Sequence, residues 1–422
     1  YFLFYWIKSQ QKKELMLIIF FLSLITFSIL VLSNINRPDA GLYHLPYVSI
    51  LNENKIILGL TNLHYRFGHT SIIQYSSAIY NNSIFKIEFI NLPLASIFSL
   101  YLLFLIKKFK NSLKSENNKQ VVIKFLIIIF SLYSFNRFSN YGNDAPSNIF
   151  FFIFLVFLVE ISNLEKVDNN IYYKITLISI FLFTLKPFMI IVLIIPFILL
   201  IMNREKIKIL KDLKIIISFS FILIWVFKNV LISGCLIFPI KITCIDRIDY
   251  HDTKIVKLAS SEAAAWSKGF PDQATKIKLN FNDFNSNFNW VPTWKKNHFN
   301  KIKEKISPFL IFIILFILPY LLINSNKNHQ VNSKKNSKLI LLSIFSFICC
   351  LYWFIFFPVY RFGLSFLASF IILFFSLIFF QYRKLKKNNF NYFWTLIIIF
   401  FITFIGKNYL RIFKNYNDSY NN

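Results

Sequence analysis

Residues 15–33, LMLIIFFLSLITFSILVLS, run directly into residues 36–71, NRPDAGLYHLPYVSILNENKIILGLTNLHYRFGHTS. The first stretch has no ionisable side chain and is long enough for a helix to cross a hydrocarbon layer of about 30 Å. The second gathers Asp39, Tyr43, His44, His64, Arg66 and His69 into one short segment. This pairing decides the fold class. An apolar helix delivers a reactive loop to its end, and the rest of the chain repeats the apolar part.

Working outward, apolar runs recur near 87–106, 121–135, 149–163, 171–185, 187–202, 215–232, 308–324, 339–357, 364–380 and 391–406. With residues 15–33 they make about eleven spans. The expected fold is all-α, a polytopic helical bundle forming one multi-spanning domain over 1–422. Composition agrees, with 56% hydrophobic residues and 54 Phe among 422 positions, against about 45–50% apolar in soluble domains. Continuous rather than alternating apolar runs exclude a strand barrel. The chain begins with Tyr, and YFLFYWI reads as the tail of an earlier span, so an upstream piece is expected.

The net charge is +28. On a soluble chain that would point to nucleic acid. Here the cations sit between apolar runs, so nucleic acid is excluded as the expected partner and anionic lipid headgroups take its place. Segments 107–119 and 203–214 carry five Lys or Arg each, and 325–338 and 381–389 carry four each. The alternate short loops are poor in cations: Arg137 in 136–148, Lys186 between two runs, Arg361 in 358–363. The positive-inside rule puts the first group in the cytoplasm, and Asp39, Asp144, Lys186 and Arg361 on the outer side.

Two outer segments stand out, a first loop at 36–86 and a large one at 233–306. In the first, Pro46 suits the opening turn of a helix whose Tyr47, Val48, Ile50 and Leu51 give it an apolar side, an interfacial helix. Gly59 and Gly68 mark turns. In the second, Cys235 and Cys244 form a disulfide or stay a reduced pair, according to compartment. Trp294, followed by Phe299, Ile302 and Ile306, suggests an interfacial anchor on a helix lying along the bilayer. SSEAAAWSK, 260–268, reads as a short helix capped by Ser261. No phosphate loop, GxSxG elbow or HExxH motif occurs, and no His or Cys spacing qualifies as a metal site.

The motifs RPDAGLYH, NRFSNYGNDAPSN and PVYRFG, all on the expected outer side, resemble those of multi-spanning GT-C-type glycosyltransferases. In particular the chain is similar to bacterial membrane proteins with a D..YH…NLH.R.G pattern, here Asp39, Tyr43, His44, Asn62, Leu63, His64, Arg66 and Gly68. The resemblance implies a polyprenyl-phosphate-linked sugar donor, a glycan, lipid or protein acceptor, and inverting transfer at the outer face of the bacterial cytoplasmic membrane. Asp39 would be the general base, with Asp144 as a second acid. Tyr43, His44, His64, Arg66, Lys186 and Arg361 would bind substrate. The chain departs from the pattern in lacking a DxD or ExD pair beside Asp39, so no cofactor is expected and the spacing does not support a divalent metal.

The chemistry is compatible on its own terms: a carboxylate accepts a hydroxyl proton, and cations hold a departing phosphate. Three other functions fit the same sequence. A transporter or flippase for lipid-linked glycans needs a polar path through the bundle, a polysaccharide polymerase or ligase shares the lipid-linked substrate, and a noncatalytic membrane protein leaves the outer charges replaceable.

Overall fold

The computed structural model describes residues 39–85, 90–135, 142–162, 164, 168–202, 212–270, 280–327, 333–385 and 391–420, with scattered positions in 16–32. The span expected at 15–33, Glu88, Arg137 and most of the basic loop at 203–214 lie largely or wholly outside these residues.

The described chain is helical. In order come α1 (Leu45–Glu53), α2 (Ile72–Ala78), α3 (Leu92–Lys114), α4 (Asn118–Ser134), α5 (Asp144–Ile161), α6 (Asn169–Leu185) and α7 (Ile194–Met202). They are followed by α8 (Leu213–Ser233), α9 (Thr253–Ser267), α10 (Val291–Ile323), α11 (Ser333–Phe356), α12 (Tyr360–Tyr382) and α13 (Asn391–Tyr420). One ribbon departs from this, Ser325–Lys327 pairing antiparallel with Arg383–Leu385.

Among the described residues, seven helices are long and apolar enough to cross a membrane: α3, α5, α8, α10, and most of α11, α12 and α13. Of the eleven expected runs, the one at 15–33 lies largely outside the described residues, and three others form shorter helices. Helices α4 and α6 have 17 residues each, about 25 Å at 1.5 Å per residue, against about 30 Å of hydrocarbon. The run at 187–202 is a 3₁₀ stretch, Pro187–Leu193, before the nine residues of α7. Length limits what α4 can do, but not where it sits. Every residue from Gln120 to Leu132 is buried, as expected of a helix apolar on all sides. Helices α3, α12 and α13 surround it, and Phe125 and Phe130 pack on Phe393 and Phe309.

Contacts between loops separate the two ends of the bundle. At one end, the ribbon joins the basic segments 325–338 and 381–389. Lys338 donates to the Leu164 carbonyl. Nearby chain from α3, α4 and α5 closes a partly buried ionic network: Lys124 Nζ meets Glu160 Oε1 at 2.9 Å, and Lys108 Nζ meets Glu160 Oε2 at 2.6 Å. Ser112 Oγ and Gln120 Oε1 accept from Lys124 as well, at 2.8 and 2.9 Å. The opposite end carries the acid-bearing loops.

In the large segment two expectations are corrected. The helix placed at 260–268 begins earlier, at Thr253, because Asp252 caps it by accepting from the Lys254 and Ile255 amides. Ser261 is interior and donates to the Leu258 carbonyl instead. Trp294 is packed into the protein and is not an exposed anchor. It belongs to the continuous α10, is buried among Trp290, Trp353 and Phe354, and donates from Nε1 to the Pro358 carbonyl at 2.5 Å. Cys235 and Cys244 form a disulfide, closing the turn that leaves α8.

Candidate active site

Asp39 immediately precedes a single π-helical turn, Ala40–His44, that leads straight into α1. That turn faces a second short stretch, the 3₁₀ helix Tyr65–Gly68, which His64 caps by accepting the Arg66 amide on Nδ1 at 3.1 Å. Two glycines allow the intervening loop to fold back on α8. Gly59 takes φ +64° and donates its amide to the Leu231 carbonyl. Gly68 is approached so closely by the Phe238 ring that an added Cβ would stand 2.4 Å from it. The result brings Arg66 Nη1 to 3.8 Å from Asp39 Oδ1. The Arg66 guanidinium also lies 5.0 Å from the Tyr43 ring centroid.

The second half of the cluster comes from chain far away. Asp144 occupies the first turn of α5, where the helix dipole favours an acid. Its Oδ1 accepts from Lys186 Nζ, and its Oδ2 is 3.4 Å from Arg361 Nε. Lys186 is placed by the break between α6 and the 3₁₀ stretch, with its ammonium 3.0 Å from the Phe362 ring centroid. Arg361 is placed by Asn148, one turn above Asp144. Asn148 Nδ2 donates to the Arg361 carbonyl at 2.9 Å, and its Oδ1 accepts the Ser365 amide at 3.1 Å. Helix α5 is thereby pinned to the start of α12.

His44 joins the halves. Burial pushes its imidazole down to about 4; Asp39 and Asp144 pull it up, while Arg66 and Arg361 push it further down. All four charges therefore act on one ring, which is neutral at pH 7, and its buried Nδ1 has no hydrogen-bond partner among the described residues. Burial and Asp39 raise the Tyr43 phenol to about 12, so it stays a donor. Burial lowers the Lys186 ammonium to about 8 against the pull of Asp144, which leaves it charged at neutral pH. Three cations face two carboxylates, a surplus of one positive charge.

Of the residues singled out in the sequence, Asp39, Tyr43, His44, Arg66, Asp144, Lys186 and Arg361 share this electrostatic cluster. His64 does not join it directly: its role here is the cap, its ring stacks on Tyr65, and its charged neighbours are Arg66 and Glu262. His69 packs against Phe238 and Tyr65.

Three contributors escaped sequence reading. Tyr65 OH donates to Glu262 Oε1 at 2.6 Å and accepts from Arg66 Nε at 3.1 Å, so a polar chain runs from Asp39 to α9. Nothing in SSEAAAWSK marks Glu262 as special. Asn148 left a signal, since it lies four residues after Asp144 on the same face of one helix.

One grouping of potential metal ligands occurs among the described residues, Cys235, Cys244 and His251. Its two sulfurs are bonded to each other.

Seven apolar helices with the charged cluster at one end define the class: an all-helical protein built to cross a membrane several times. The chain belongs to the DUF8201 family, a domain of unknown function whose model matches residues 1–368. Neither a curated protein nor a solved structure matches it.

Proposed function

We propose that the chain is a membrane glycosyltransferase of the GT-C type, moving a sugar from a polyprenyl-phosphate-linked donor to a glycan, lipid or protein acceptor. In this reading the basic end faces the cytoplasm, the shorter helices complete about eleven spans, and transfer takes place at the outer face of a bacterial cytoplasmic membrane. The observation that carries it is the convergence of Asp39 and Asp144 with Arg66, Lys186 and Arg361 around His44.

The two acids divide the work. Asp144 is held by Lys186 and Arg361, whereas Asp39 is 44% exposed and meets only Arg66, at 3.8 Å, among the ion pairs described. Asp39 is the base. It takes the proton of the acceptor hydroxyl as that oxygen attacks the anomeric carbon. The bond from that carbon to the phosphate oxygen breaks with inversion, and the electron pair leaves with the polyprenyl phosphate. Arg361 and Lys186, kept in place by Asp144, stabilise the charge gathering on the departing phosphate. Tyr43 and the unpartnered His44 Nδ1 are left to orient the sugar hydroxyls.

The test is sugar transfer by the full chain in lipid nanodiscs supplied with radiolabelled polyprenyl-phosphate sugars. Release of polyprenyl phosphate that depends on acceptor and on Asp39 supports the reading. Movement of intact donor across proteoliposomes without its cleavage replaces it with a flippase.

A further inference from the structure

Four lysines are buried among the described residues, and the chain treats two of them, Lys124 and Lys228, differently. Lys124, 1% exposed, is met by Glu160 and two side-chain oxygens. Lys228, 8% exposed in the last two turns of α8, has no carboxylate within ion-pair distance among the described residues. Its ammonium donates to Thr70 Oγ1 and lies 3.5 Å from the ring centroid of Trp225. A buried cation without a counter-charge is an incomplete arrangement, because a charge taken out of water needs a counter-charge or hydrogen bonds. What completes it is an anion.

The space for one is present. A cavity of about 270 Å³ lies between α1, α2 and α8, lined chiefly by Tyr47, Ile50, Leu51, Tyr75, Ile79 and Lys228. Its walls are mostly hydrocarbon, so water alone fills it poorly. At its opening Ile56 and Ile79 are 60% and 69% exposed, which continues the apolar surface of the cavity onto the outside of the protein. A charged floor with an apolar passage outward matches a molecule with an anionic head and an alkyl chain. The Asp39–Asp144 cluster has a different character, since each of its cations stands beside a carboxylate.

We propose that this cavity binds a membrane amphiphile with a phosphate or carboxylate head, seated on the Lys228 ammonium, its chain running out past Ile56 and Ile79. The site does not depend on the transferase reading and would be occupied in a noncatalytic protein as well.

The full chain, purified in a neutral maltoside detergent, is titrated with dodecyl phosphate, laurate and inorganic phosphate, and read by native mass spectrometry and thermal shift. The expected result is one saturable equivalent of dodecyl phosphate or laurate, the tighter of the two naming the head, with no comparable shift from inorganic phosphate. Lys228→Met weakens it at least ~10-fold, the effect of losing a charged hydrogen bond. Lys228→Arg retains it, and so does Lys257→Gln, which removes an exposed cation elsewhere. Ile79→Trp narrows the cavity at an exposed part of its wall, so it weakens binding even if Lys228→Met does not fold. Unchanged binding in Lys228→Met or, where that variant fails to fold, in Ile79→Trp overturns the proposal, as does an equal shift with inorganic phosphate.

Discussion

Asp144 and Arg361, at the starts of two helices remote in sequence, stand 3.4 Å apart between Oδ2 and Nε, with Lys186 closing on the other oxygen of the same carboxylate. The relationship makes Asp144 a holder of cations. Asp144→Asn leaves Lys186, only 10% exposed along its side chain, without its counter-charge. The variant should lose about 1–3 kcal/mol, the cost of a buried polar group deprived of its partner. Lys186→Met in the same chain should restore most of that. Chemical denaturation of both variants in detergent measures it, and equal losses in the single and double variants would show that the pair is not coupled.

Arg361 is expected to hold the phosphate of the donor with two guanidinium donors while Nε stays with Asp144. Arg361→Lys keeps the charge and loses that planar fork. Donor affinity should fall by about tenfold in Arg361→Lys and further in Arg361→Ala, about 1.4 kcal/mol for each factor of ten. Equilibrium binding of a fluorescent polyprenyl phosphate decides it. Unchanged affinity in both removes Arg361 from the donor site.

Much of this cluster was legible in the sequence, and for one reason. A chain that dissolves in lipid has few charges to spare, so Asp39, Asp144, Lys186 and Arg361, isolated between apolar runs, stood out without any distance being known. What stayed hidden depends on packing. Nothing in SSEAAAWSK says that Glu262 reaches Tyr65, and nothing in NLHYRFG separates a histidine that caps a turn from one that faces a substrate. Span counting rests on hydropathy, which ignores enclosure: residues 118–134 and 169–185 form helices of 17 residues, and protein encloses the first of them.

The two ends of the bundle carry a prediction about sidedness. With the basic ribbon and the Lys124–Glu160 network on the cytoplasmic side, a single cysteine introduced at Leu63, 71% exposed, should react with a membrane-impermeant maleimide in intact cells. One introduced at Ser115 should react only after permeabilisation. The reverse pattern would turn the map over and move the acid-bearing end to the cytoplasm.

Acid should destabilise the fold through His44 and His69. Burial holds both imidazoles near about 4, the latter also pushed down by Arg66 and Lys186, while an unfolded histidine titrates near about 6.5. Between these values the unfolded chain binds protons that the native chain refuses. Stability is therefore fully present above pH ~6.5 and lost as pH falls toward 4. His69→Leu should flatten part of that slope in thermal scans from pH 7 to pH 4.5; an unchanged slope would assign the loss to other groups.

In the proposed transferase Asp39 is the expected base. Its side chain is 44% exposed with Arg66 beside it, while Lys186 and Arg361 lie against Asp144. Asp39→Asn keeps its shape and removes the proton-accepting charge, so turnover should fall at least ~100-fold, the lower range for general acid–base catalysis. Donor affinity should stay within about twofold, because the Asp144 arrangement is untouched. Arg66 complicates the comparison, since it loses its partner in Asp39→Asn; Arg66→Gln alone measures that contribution and should lower turnover much less. Asp39→Glu tests position, with partial activity expected if the π turn admits one more methylene. The assay follows polyprenyl phosphate release at matched protein levels, with donor binding measured in parallel. Full turnover in Asp39→Asn would pass the role of base to Asp144. Full turnover in the double Asp39→Asn/Asp144→Asn variant would leave no carboxylate in the cluster to accept the proton, and the transferase reading would fall.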